Sequence, residues 1–149
     1  MGRGAWTLAM SAAALAVTGC GGEEQLSQAE LRAQGNAICA KYEKQIDEVA
    51  VPSSVDEIPA YVGKAGPIVE REIDELKALN PSEESRETYD QMIAEAEKTL
   101  AAGRSLGDAA EKGDDVAVEK ALDEGNRASD KADEHARALG LTECIDEGE

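Results

Sequence analysis

The chain has 149 residues, 32 acidic and 15 basic, with a formal net charge of −17. A surface this acidic argues against nucleic-acid binding, which needs clustered Lys and Arg to displace counterions, and against lying flat on anionic lipid. The length fits one domain. Phe is absent and the single Trp is Trp6, so the core must come from Leu, Ile, Val, Ala and three tyrosines.

The first element is a leader. Arg3 gives a positive start, and Ala5 to Val17 are apolar apart from Thr7 and Ser11. This is the layout of a secretory signal. The run is too short and Ala-rich for a membrane span, which needs about 20 apolar residues. Trp6 stands where an N-myristoylation motif needs Ser or Thr. The ending Val17-Thr18-Gly19-Cys20 resembles a bacterial lipobox. That resemblance implies cleavage before Cys20, diacylglycerol on its thiol, and a chain anchored on the outer face of the cell membrane. Residues 1–19 then form the signal, 20–26 a tether, 27–145 the folded domain and 146–149 an acidic tail. Losing Arg3 leaves 14 bases against 32 acids, a net −18.

Helix one has a capping-box spacing at Ser27 and Glu30. Leu31, Ile38, Tyr42, Ile46 and Val49 follow at helical spacing,. Gly35-Asn36 weakens its middle, so it starts at either Ser27 or Asn36, and Val51-Pro52-Ser53 ends it. Ser54 and Glu57 give a second capping-box spacing. Ile58, Val62, Ala65, Val69, Ile73 and Leu76 form the stripe of helix two. Gly66-Pro67 interrupts it without changing its phase, which implies a kink.

Asn80-Pro81 predicts the start of helix three, with Pro at the first helical position. Its stripe is Tyr89, Met92, Ile93, Ala96, Leu100, Gly103, Leu106 and Ala110, closed by Gly113. Asp114-Asp115 caps helix four. Its predicted seam is Val118, Leu122, Gly125, Ser129, Ala132, Ala136 and Leu139,. Asp123 with Arg127 and Asp133 with Arg137 are i,i+4 pairs for its solvated face. Gly140 stops the helix and Leu141 folds back on its last turn. The expectation is an all-α, antiparallel, up-down four-helix bundle with a kinked second helix.

With Cys20 assigned to lipid, Cys39 and Cys144 remain. An even remainder in an exported chain predicts one disulfide, against the alternatives of free thiols or an intermolecular bridge. Helix four ends beside the start of helix one in an up-down bundle. The pairing is direct if helix one begins near Asn36. If it begins at Ser27, either its first turns project past the bundle or the segment after Gly140 climbs back along it by about 15 Å.

The sequence offers no metal or cofactor motif. A di-iron bundle needs two Glu-x-x-His motifs; here His135 is the only histidine and Ala132 stands where the glutamate belongs. His135 reads as a half-exposed surface residue. The acidic stretches at Asp108, Asp114-Asp115 and Asp123-Glu124 lack the EF-hand spacing. There is no Gly-x-Ser-x-Gly elbow on a strand-to-helix turn. No catalytic residue is assigned, and an enzyme is the least favoured reading.

Asn36-Ala37-Ile38-Cys39-Ala40-Lys41-Tyr42 and Gly140-Leu141-Thr142-Glu143-Cys144 bracket the acidic domain. In this it resembles small helical lipoproteins of high-GC Gram-positive bacteria, a resemblance that supports the bundle and the disulfide and implies no activity. The functional expectation is a lipid-anchored, extracytoplasmic interaction or structural module, partnered by the membrane through Cys20 and by an unidentified envelope protein. The alternative is a carrier of a small apolar ligand. The two differ at Gly103, Gly125 and Ser129: underfilled layers there favour the carrier, close helix contact the module.

Overall fold

The computed structural model describes residues 25–145. The leader with Cys20 and the 146–149 tail lie outside the described residues. Within them four helices follow one another: α1 Gln28–Ile46, α2 Ile58–Lys77, α3 Glu83–Lys112 and α4 Asp115–Leu139. Short 3₁₀ turns at Val55–Glu57 and Thr142–Cys144 complete the described secondary structure. The domain is an all-α four-helix bundle closed by a Cys39–Cys144 disulfide.

The cap at Ser27 is real. Ser27 Oγ accepts from the Glu30 amide at 3.3 Å, and Glu30 Oε2 accepts from the Ser27 amide at 2.9 Å. Two amide donors at the helix start are thereby satisfied, so α1 begins at Gln28 and not near Asn36. It ends at Ile46, ahead of the Val51-Pro52-Ser53 break, where a tight turn returns the Val49 amide to Ile46 O at 2.8 Å.

Helix α2 runs unbroken through Pro67, in keeping with the unchanged phase of its stripe. The second capping box does not form. Ser54 precedes a 3₁₀ turn without capping it, and Glu57 accepts from the amide and hydroxyl of Ser53 at 2.7 and 2.9 Å. The side chain reaches one residue further back because Glu57 is itself the last residue of the 3₁₀ turn, directly before α2.

Pro81 is not the first residue of α3. Ser82 precedes that helix, and Pro81 is buried in an isolated bridge with Leu26. The Leu26 amide donates to Asn80 O at 2.7 Å, and the Ser82 amide donates to Leu26 O at 3.0 Å. Proline has no amide hydrogen, so it suits a short extended pairing in which its neighbours make the bonds. Leu26, placed by sequence at the end of the tether, is thus held against the α2–α3 connection.

Helices α3 and α4 form the closest pair, joined by Gly113 at φ 64°. Their contact is built from alanines: Ala102, Ala109 and Ala110 on α3, Ala121 and Ala128 on α4, all buried. This shifts the predicted seam of α4. Val118, Ala136 and Leu139 are buried as expected, but Leu122 is 45% exposed and Ala121 takes its place. Two helices meeting through methyl groups approach too closely to admit a leucine between them. Asp133, assigned by its spacing to the solvated face, is buried at 7% exposure. It keeps the predicted Arg137 contact at 3.5 Å from the edge of the core.

Beyond Gly140 (φ 77°) the chain turns back along α1. Arg32 Nε donates to Leu139 O at 2.8 Å, and Asn36 Nδ2 donates to Gly140 O at 3.3 Å. Asn36 Oδ1 then accepts from the Glu143 amide at 3.0 Å. Leu141, fully buried, lies on Gly35. Of the two routes compatible with an early start of α1, the chain takes the return route.

Candidate functional site

The returning segment places Cys144 against α1, where its Cα stands 5.1 Å from that of Cys39. Helix α1 therefore meets the end of α4 mainly through the 142–144 turn rather than along its length. This leaves unfilled space under the disulfide. A cleft of about 230 Å³ lies there, with Val69, Glu72, Ile73 and Leu76 from α2, Met92, Ala96 and Thr99 from α3, Ser129, Ala132 and Asp133 from α4, and both cysteines. Its volume is below the roughly 300–1,000 Å³ of a drug-sized site. It exceeds the about 150 Å³ that suffices to hold a benzene.

Two carboxylates interrupt the apolar wall. Glu72 is partly buried, and loss of hydration raises its pKa to about 7, with repulsion from Glu43 adding to the effect. Among the described residues no hydrogen bond or ion pair is made to the Glu72 carboxylate. Its helix neighbour Glu75 behaves in the opposite way. Lys41 and the Tyr42 hydroxyl, which donates at 2.5 Å, hold the Glu75 carboxyl below its usual range. The second cleft carboxylate is Asp133. No Lys, Arg or His lines the cleft among the described residues. A wider hollow of about 560 Å³ adjoins it at Cys39, Glu72 and Cys144, lined further by Glu43, Ile46, Thr142, Glu143 and Ile145.

The residues singled out by sequence fall in different places. Cys39 and Cys144 are joined, and Cys20 lies outside the described residues. His135 is half-buried on α4, and Ala132 is in the cleft wall. The three positions expected to discriminate module from carrier differ among themselves. A Cβ on Gly103 would meet open space, whereas one on Gly125 would touch Ala102 Cβ at 3.4 Å. Ser129 borders the cleft. No group of three or more His, Cys, Asp or Glu side chains converges as a metal site among the described residues. None of their helices is long and apolar enough to cross a membrane.

Sequence reasoning missed Glu72 and Asp133, yet both carried a signal. Glu72 lies three residues after Val69 and four before Leu76, which is a position on the apolar stripe of α2. Asp133 is likewise four after Ser129 and three before Ala136. An acid at a stripe position is an acid facing the core.

The chain matches no family model, no curated protein and no solved structure. The cleft therefore has to be interpreted from its own chemistry.

Proposed function

We propose that this protein is a lipid-anchored, extracytoplasmic helical module, held to the membrane through Cys20, that presents its far end to another envelope protein. One observation carries the reading. The large apolar side chains left exposed in the described residues are Val51, Val55, Val116 and Leu122. In an up-down bundle the α1–α2 connection and the α3–α4 turn share one end, and these residues belong to it or approach it. The opposite end holds Leu26, paired with Pro81 where the tether enters the domain. Scattered exposed hydrophobics are ordinary on a protein surface; here they gather at the end away from the anchor.

Two measurements test this. Intact-mass analysis of membrane-extracted protein is expected to give a chain that starts at Cys20 and carries acyl mass; a free Cys20 thiol on a secreted chain rejects the anchor. A photo-cross-linking residue at Val116 is expected to capture an envelope protein in the native membrane, and one at Ala29 is not. Equal capture at both positions rejects the far end as the contact surface.

A second reading is supported by the cleft: a carrier of a small ligand, held by Val69, Ile73, Leu76 and Met92. It is compatible with the same anchor.

A further inference from the structure

The cleft has apolar walls from three helices, carboxylates from two of them, and no base in its lining. We infer that it takes a small organic cation, an alkylammonium whose short tail lies on Val69, Ile73 and Met92 and whose charged head lies between Glu72 and Asp133. This rests on the carrier reading and adds the chemical class of the ligand.

Three observations lead to it. A neutral apolar ligand needs no carboxylate beside it, and the bundle would be easier to form with Gln or Leu at position 72, because a partly buried charge costs free energy unless it is paired. An anionic ligand is opposed by Glu72 and Asp133 inside the cleft and by Glu43 and Glu143 in the adjoining hollow. The groups facing this space are thus acidic from α1, α2, α4 and the 142–144 turn. Arg137, which is not part of the cleft lining, meets Asp133 at 3.5 Å. A bare metal ion is disfavoured because no group of three or more His, Cys, Asp or Glu side chains converges among the described residues, and an apolar wall offers such an ion nothing. An ammonium with a hydrocarbon tail satisfies both halves of the lining. The strongly negative domain would also concentrate such cations near its surface.

Met92 supplies the probe, since the other two methionines, Met1 and Met10, lie in the leader. The experiment titrates the oxidised full chain, labelled with ¹³C at its methionine methyl groups, with hexylammonium, hexanol and hexanoate. Hexylammonium is expected to shift the Met92 signal to saturation, with affinity about tenfold above that of hexanol, the low end of what one charge-assisted hydrogen bond contributes. Hexanoate is expected to leave it unmoved. Glu72→Gln is expected to bring hexylammonium down to the hexanol value, and Ser129→Leu, which fills the cleft, to abolish both. Glu72→Gln removes a poorly hydrated charge, so the variant is expected to fold. If hexanol binds as tightly as hexylammonium, the cation assignment is overturned and the carrier reading stands. If none of the three moves Met92, the carrier reading fails and the assignment with it.

Discussion

Gly35 and Leu141 meet with no room for a further side-chain atom: a Cβ on Gly35 would fall 2.6 Å from Leu141 Cδ2. The glycine that weakens α1 in a linear reading is the seat on which the C-terminal segment closes the bundle. Ala at this position gains helix propensity of about 1 kcal/mol and incurs overpacking of about 1–3 kcal/mol. Gly35→Ala is expected to be destabilising on balance. Gly103→Ala, where the new methyl meets open space, is expected to be stabilising by up to about 1 kcal/mol. Denaturant titration of the two variants checks the contrast. A stabilised Gly35→Ala protein would show that Leu141 does not seat there.

The Cys39–Cys144 bond spans a sequence separation of 105 residues. Loops of that length restrict the unfolded chain by about 4.7 kcal/mol in chain-entropy models, and native disulfides in small domains typically contribute about 2–5 kcal/mol. The Cys39→Ser, Cys144→Ser double variant is expected to lose stability in that range. A thermal unfolding curve with and without reductant checks it, the double variant being indifferent to reductant.

Glu72 makes the domain pH-sensitive. Its carboxyl titrates at about 7 in the folded chain against a reference value of 4.5. The folded state therefore holds a proton that the unfolded state releases between those values. This contribution to stability is full below pH 4.5 and is lost as pH rises through 7,. The difference is as much as ~3 kcal/mol at about 1.4 kcal/mol per pH unit, and less in so far as the carboxylate stays wet. Glu30, Glu57, Glu75 and Glu95 are held low by their hydrogen-bond partners and act in the opposite direction. The informative quantity is thus the difference between the parent and Glu72→Gln. The variant is expected to be the more stable at pH 8 and to lose that advantage at pH 5. Equal stability at pH 8 would place the Glu72 carboxylate in water.

Helix α4 offers a test of its phase. Ala121 is 4% exposed and Leu122 is 45% exposed. Ala121→Leu is expected to overpack the α3 contact by about 1–3 kcal/mol. Leu122→Ala is expected to change stability by about 0.5 kcal/mol or less. The reverse order in denaturant titration would restore the seam predicted from sequence.

The sequence alone determined the four helices, because apolar spacing, caps and glycine stops are local signals and the residues that carry them are neighbours in the chain. Asp114, Gly113 and Gly140 act where they were expected. The Cys39–Cys144 pairing followed from an even remainder and an up-down path. Tertiary structure decided what local spacing leaves open. A stripe of period near 3.6 fits more than one rotation of α4, and alanine contacts with α3 chose the one that buries Ala121 and exposes Leu122. Pro81 could have opened α3; pairing with Leu26, distant in the chain, took it instead. Gly35 reads as a weak point until Leu141 is laid on it. The cleft is the last of these decisions. Glu72 and Asp133 sit on their own helices' inward faces in sequence, but the space between them exists because the 142–144 turn, and not a helix, fills the distance from α4 to α1.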